Sequence, residues 1–230
     1  MTQFIEVANE KKPEVRPLFA TPIVKVNINR EFTTDELKLL LCDIPVVKDE
    51  TTGMTNHQSD VSSVFDHYEE LKNIKDFCER EINDYLEQIE GVITDKANLK
   101  ITMSWLNRNK SQEEHPPHFH ANSYLSGVLY LQCLSDDAII FSNRLHKFFD
   151  NFDFPREKHT IWTAPMIRQK VIEGDLVIFP SWLMHSVEKN EAYDKERVSL
   201  SFNTFPIGKM GNTFGTALDI EKPRSNVSYL

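Results

Sequence analysis

The chain has no apolar run approaching the ~20 residues that cross a bilayer, so the sequence offers no membrane helix. Its cysteines are few. Cys42, Cys78 and Cys133 stand far apart, with no CxxC and no even-numbered framework, which leaves out a disulfide scaffold and a thiolate zinc site. They read as reduced, partly buried thiols. Basic charge is also short: the formal net charge is −9, and bulk electrostatics of that sign repel a long nucleic-acid duplex. The N-terminus, MTQFIEVANEKKPEVRP, lacks the apolar core of a signal peptide, so the expected location is cytoplasmic. There is no internal repeat, no low-complexity tract and no heptad that would announce an oligomer.

What remains is ordinary globular material: 230 residues, 40% hydrophobic and 27% charged, enough for one large domain. Thr21–Ile28 alternates and is rich in β-branched residues, as a strand does. Thr33 and Glu36 form a capping box ahead of a leucine-bearing helix. Residues 45–65 read as a long polar loop. From Asp66, the residues Leu71, Ile74, Cys78, Ile82, Tyr85 and Ile89 recur at spacings of three and four, an apolar stripe on one helix. After Gly91 the texture changes to short strands: LKITMSWLN, SYLSGVLYLQCL, AIIFS, HTIWTA, MIRQKVI, DLVIFP and RVSLSFNTF. Helices first and many strands after predict a mainly β fold, a jelly roll supported by helices on one face. The expected layout is a single domain over 1–230. It comprises a polar arm (1–17), a strand with supporting helices (18–95), a jelly-roll core (96–206) and a C-terminal tail (207–230), loose from Pro223 to Leu230.

The chemistry concentrates in HPPHFHANSYLSGVLYL, His115 to Leu131. His118 and His120 are two apart, so on a strand both imidazoles face one side. Imidazole is the commonest neutral metal ligand. In EGDLVIFPSWLMHSVEKN a further histidine, His185, opens another strand, where an adjacent jelly-roll strand would set it beside the first pair. Arg197 and Ser199 follow in RVSLSFN and share a strand face, a guanidinium fork and a hydroxyl suited to a carboxylate. His115, followed by two prolines, reads as a surface loop residue. His57, His67, His146 and His159 have no partner spacing and read as surface or satisfied core positions. Residues 143–159 suit a lid or an ordinary connecting loop equally. Trp105 is more simply a core residue than a substrate contact.

HxH at 118 and 120, the distal His185 and the R-x-S of Arg197 and Ser199 resemble the 2-oxoglutarate/Fe(II)-dependent oxygenases. LFATPIVKVNI, HFHANSYLSGVLYL, FPSWLMHSV and RVSLSFN together look like a bacterial and phage family within that superfamily. The resemblance implies a double-stranded β-helix, Fe(II) as the metal, 2-oxoglutarate as cosubstrate, and O2 and a prime substrate as partners. Hydroxylation is its default outcome. It implies His118, His120 and His185 as metal ligands, and Arg197 and Ser199 as the holders of the cosubstrate's distal carboxylate. Tyr130 is a further donor to that carboxylate. Trp105, Asn107 and Asn122 would lie on the substrate side. Position 120 departs from the superfamily, which carries Asp or Glu there. His120 could replace that carboxylate, could turn away, or could act with Asn122 in a shifted register.

Two other classes compete. Cupin metalloenzymes also place HxH on a jelly-roll strand, and their second motif resembles GDLVIFPSWLMHSVEKN. They carry a glutamate shortly after HxH where Tyr124 and Leu125 stand here, and they give R-x-S no role. A jelly-roll binding module without metal is the other.

Overall fold

The computed structural model describes residues 17, 19–48, 55–61, 63–143, 154–211 and 217–220. The polar arm as far as residue 16, His146, the 144–153 part of the connecting loop and the Pro223–Leu230 tail lie outside the described residues.

The helices come first, as their local signals require. Thr33 caps α1 (Thr34–Lys38) in a complete capping box, and Glu36 also receives both Nη1 and Nη2 of Arg30 at 2.8 and 2.7 Å. A short π-helical turn, Leu39–Asp43, follows. The apolar stripe does not begin one continuous helix at Asp66. Tyr68 leaves helical geometry, so α2 (Val64–His67) and a 3-10 turn (Glu69–Leu71) precede the long α3 (Lys72–Glu90). Leu71, Ile74, Cys78, Ile82 and Tyr85 are buried as the period predicts. Ile89, 42% exposed, is not: the stripe outruns the sheet beneath it, and Gly91 closes the helix in the left-handed region at φ 67°.

The strands are β1 (Val24–Asn27), β2 (Val46–Lys48), β3 (His57–Ser59), β4 (Ala97–Asn109), β5 (His115–His118) and β6 (Leu125–Gln132). They continue with β7 (Ala138–Ser142), β8 (Met166–Lys170), β9 (Asp175–Pro180), β10 (His185–Val187), β11 (Arg197–Met210) and β12 (Leu218–Ile220). The larger sheet runs β1-β9-β6-β11-β4-β3-β2, with β12 also paired to β11, and the smaller runs β5-β10-β7-β8. Together they form the double-stranded β-helix, mainly β with helices packed on one face. Three expectations are corrected. The 45–65 loop contains β2 and β3, because their backbone groups extend the large sheet through β4. HTIWTA is a turn, not a strand: the hydroxyls of Thr160 and Thr163 satisfy local N–H groups, and Ile161 and Trp162 are exposed. The 207–230 tail is strand where β11 continues to Met210 and pairs β12.

The central strands β6 and β9 and the first half of β11 are buried on both faces, so they read as near-continuous buried runs. Alternation assigns each residue to a side. Leu125, Leu129, Leu176, Ile178, Leu200 and Phe202 pack with the helices. Val128, Tyr130, Val177 and Phe179 face the smaller sheet, with Ile139 and Phe141. Gly127 shows how tight the helix side is. It is the register partner of Phe202, and a Cβ there would sit 2.1 Å from Phe202 Cζ. Gly127→Ala therefore lowers stability by about 3 kcal/mol, read as a lower Tm. An unchanged Tm would mean that the Phe202 ring swings aside freely.

On β11 the same alternation places Val198, Leu200 and Phe202 on the helix side, which leaves Arg197, Ser199 and Ser201 facing the space between the sheets. On β4 that inner face carries Trp105, Asn107 and Asn109. Polar groups on the inner face of a two-sheet core are the exception that marks a site.

Candidate metal centre

Three histidines from two segments of the chain meet between the sheets. His118 ends β5 and His185 begins β10, and they are direct register partners. His120 lies just beyond β5, so strand periodicity does not aim it. Instead its backbone N–H donates to Ser181 O at 2.9 Å, which ties the loop after β5 to the loop before β10. The ring centroids of His118 and His185 are 4.2 Å apart, those of His118 and His120 5.2 Å, and those of His120 and His185 5.0 Å. One ring nitrogen from each lies within 4.8 Å of the other two.

The hydrogen bonds say which nitrogen is available. His118 Nδ1 is 2.8 Å from Pro116 O, and His185 Nδ1 is 2.9 Å from Leu183 O. A carbonyl oxygen only accepts, so both Nδ1 atoms carry the hydrogen and both Nε2 atoms keep a lone pair. His120 Nδ1 is 2.7 Å from both Asn203 Oδ1 and Ser126 Oγ. Donation to the amide oxygen again leaves Nε2 bare. Burial, with the neighbouring imidazoles, pushes His120 down to about 4 and His185 well below its ordinary value; burial alone lowers His118. All three rings are neutral at neutral pH, the form that a cation requires.

His115 corrects its expectation. It is not a surface residue but the first residue of β5, buried and stacked on His118 with centroids 4.0 Å apart and planes 13° from parallel. Burial holds it neutral, down to about 3, and its Nε2 has no hydrogen-bond partner. The two prolines do not push it outward, because β5 is an edge strand and tolerates their missing N–H groups.

The cavity beside the histidines is floored by β11, β4 and β6. Arg197, Ser199 and Ser201 face Asn109, Asn107 and Trp105 across the ladder, and Ser199 also faces Tyr130. All seven line the same cavity as the histidines. Arg197 is 4% exposed; its Nε donates to Asp137 Oδ1 at 2.6 Å and its Nη1 to Glu188 O at 3.0 Å. Asn107 is satisfied: Oδ1 accepts from Asn56 and Gln58, and Nδ2 donates to Ser201 Oγ at 2.9 Å. Trp105 stands edge-on to His120 at 5.5 Å, so it is a wall of the cavity as well as a packing residue. Its Nε1 and Asn109 Nδ2 are buried without partners. Buried donors are almost always satisfied. Their lack of a protein acceptor marks the cavity as a place for oxygen atoms of a ligand. Burial raises the Tyr130 hydroxyl far above its ordinary value, which keeps it a donor. Asn122 is elsewhere, an exposed turn residue at φ 54° outside the cavity wall. It takes no part in the cluster, nor does His57, which pairs with Glu113, or the exposed His159.

Sequence reasoning passed over four contributors: His115, Asn109, Asp137 and Asn203. Asn109 had a signal, since the Trp105–Asn107 alternation continues to it. Asp137 had none, because nothing in SDDA separates a buried aspartate from its exposed neighbour Asp136.

Residues 103–203 match the 2OG-Fe(II) oxygenase family model. No curated protein matches the sequence. Among solved structures, the 2-oxoglutarate-dependent epimerase SnoN of nogalamycin biosynthesis is 16% identical, with 90% of this chain and 91% of that one covered and a TM-score of 0.56. A 2OG-Fe(II) oxygenase family oxidoreductase from Burkholderia pseudomallei is 13% identical over 79% of this chain and 84% of its own, with a TM-score of 0.55. A Pseudomonas putida prolyl-4-hydroxylase is 12% identical over 80% and 92%, with a TM-score of 0.51. At such identities these likenesses are of fold. The family match spans the histidine cluster and the Arg197–Ser199 pair, so the segment that resembles the 2OG-Fe(II) oxygenases is the one that builds this site.

Proposed function

We propose that His118, His120 and His185 hold the Fe(II) through Nε2, and that Arg197, Ser199 and Tyr130 receive the distal carboxylate of 2-oxoglutarate. The observation that carries this is the donor set: three neutral imidazoles, each with Nδ1 engaged, bring one ring nitrogen apiece within 4.8 Å of the others. Iron held there supplies the oxidation of 2-oxoglutarate by O2 to succinate and CO2, coupled to oxidation of a prime substrate.

The chain's own residues do the rest. Asp137 and Glu188 O fix one side of the Arg197 guanidinium, which leaves Nη2 for a carboxylate. Ser199 and Tyr130, cross-strand neighbours, add hydroxyl donors beside it. The unpartnered Nδ2 of Asn109 and Nε1 of Trp105 offer further donors along the same cavity. Val128, Ile139 and Val187 exclude water from its walls. The prime substrate approaches past Trp105. Hydroxylation is the default outcome. The fold does not select it, since an epimerase and a prolyl hydroxylase share the architecture.

One oxygenase domain over 1–230, in the cytoplasm, completes the proposal. No helix among the described residues is long and apolar enough to cross a membrane, and Cys42, Cys78 and Cys133 are all free, in keeping with a reducing compartment. The cupin alternative loses its ground because the inward R-x-S pair has no use there, and a metal-free module does not explain three neutral, convergent nitrogens.

Anaerobic titration of the protein with Fe(II) and then 2-oxoglutarate tests the reading. A weak visible charge-transfer band is expected only when both are present. Iron binding without that band would remove the cosubstrate, and no iron binding would remove the metal centre.

A further inference from the structure

Asp137 is the most enclosed acid near the site. It lies in the turn between β6 and β7 with its side chain 0% exposed, against an Arg197 side chain that is 4% exposed. Arg197 Nε, Ala138 N–H and Leu134 N–H all donate to its carboxylate, at 2.6, 3.0 and 3.2 Å. Among the described residues no carboxylate lines the cavity, and Arg197 is the sole formal charge on its wall. The next charges outward, Arg168 with Asp136 and Glu188, pair with one another at the surface, where solvent screens them.

The charges can then be counted. Arg197 and Asp137 cancel. A dication on three neutral imidazoles and the 2-oxoglutarate dianion cancel as well. Without Asp137, the filled pocket would hold one uncompensated positive charge away from water, which is costly. We propose that Asp137 is the counter-charge of this pocket: through Arg197 it supplies, at the cosubstrate's distal end, the one negative charge that three neutral metal ligands do not. This rests on the ligand assignment proposed above. Asp137 touches neither ligand. It acts through Arg197 and sets how strongly the pocket attracts an anion.

The charge-counting gives opposite signs to two substitutions, one at each end of the pocket. Asp137→Asn removes a negative charge, so 2-oxoglutarate binds the metal-loaded protein about tenfold more tightly. His120→Asp adds one at the metal end, so the metal binds at least as well while 2-oxoglutarate binds about tenfold more weakly. The measurement is calorimetric titration of Mn(II)-loaded wild type and variants with 2-oxoglutarate, with Mn(II) affinity measured separately. Asp137→Asn leaves Arg197 with a weaker partner and could fail to fold; His120→Asp leaves that pair intact and tests the same balance. Weaker 2-oxoglutarate binding in Asp137→Asn, or unchanged or tighter binding in His120→Asp, overturns the counter-charge role alone. A wild-type protein that takes up neither Mn(II) nor 2-oxoglutarate overturns the ligand assignment, and this inference falls with it.

Discussion

His185→Ala abolishes tight Fe(II) binding. The residue contributes one of only three nitrogens, and it is the one whose placement is most fully determined. It is 3% exposed, it begins β10, its ring lies 4.6 Å from that of Phe179, and its Nδ1 is anchored on Leu183 O. No described carboxylate lines the cavity to substitute for it. Loss of groups that merely orient a ligand costs about 10–100-fold in metal affinity, so loss of the ligand itself costs more than about 100-fold. Anaerobic Fe(II) titration of the variant checks this, with thermal unfolding as the control for the space left beside Phe179. Near-normal iron stoichiometry in a folded variant would remove the metal centre from these three histidines.

Arg197→Ala separates cosubstrate from metal. The guanidinium lines the cavity from β11, in the sheet that does not carry His118 and His185, and its hydrogen bonds go to Asp137 and Glu188. Metal uptake is therefore retained while 2-oxoglutarate affinity falls by about 100-fold, the scale for truncating one partner of a buried charge pair. Stability falls too. Asp137 is left buried without its cation, a situation that costs about 3–5 kcal/mol. The double variant Arg197→Leu with Asp137→Asn removes both charges and should recover much of that stability without recovering cosubstrate binding. Calorimetry on the metal-loaded proteins reads the affinity. Unchanged 2-oxoglutarate affinity in either variant would move the carboxylate site away from Arg197.

Position 120 explains why both experiments are informative. In the proposed ligand set a histidine there keeps the metal's ligands neutral, so the negative charge must come from elsewhere. Among the described residues Arg197 is the only formal charge lining the cavity, and Asp137 pairs with it from behind the wall. The hydrogen-bond chain behind His120, through Ser126, Asn203 and Ser181, fixes its tautomer without adding charge.

Much of this was readable in one dimension. The strand-like runs Leu125–Gln132, Asp175–Pro180 and Arg197–Phe205 are properties of the chain itself, and the two-residue spacing set Arg197 and Ser199 on one face. The capping box at Thr33 and Glu36 needs only local geometry. The order HxH, distal histidine, R-x-S carried the family. Tertiary structure decided what depends on distant partners. His115 is buried because β10 pairs β5 and His118 stacks beneath it, not because of its own neighbours in sequence. His120 converges on the cluster although the strand ends before it, held by Ser181 from 61 residues away. β2 and β3 exist only because β4 offers an edge. Asp137 is indistinguishable from Asp136 until the fold delivers Arg197, 60 residues on, to one of them. Periodicity is written along the chain. The partner of a turn residue is chosen by packing, and there the charge of this pocket was settled.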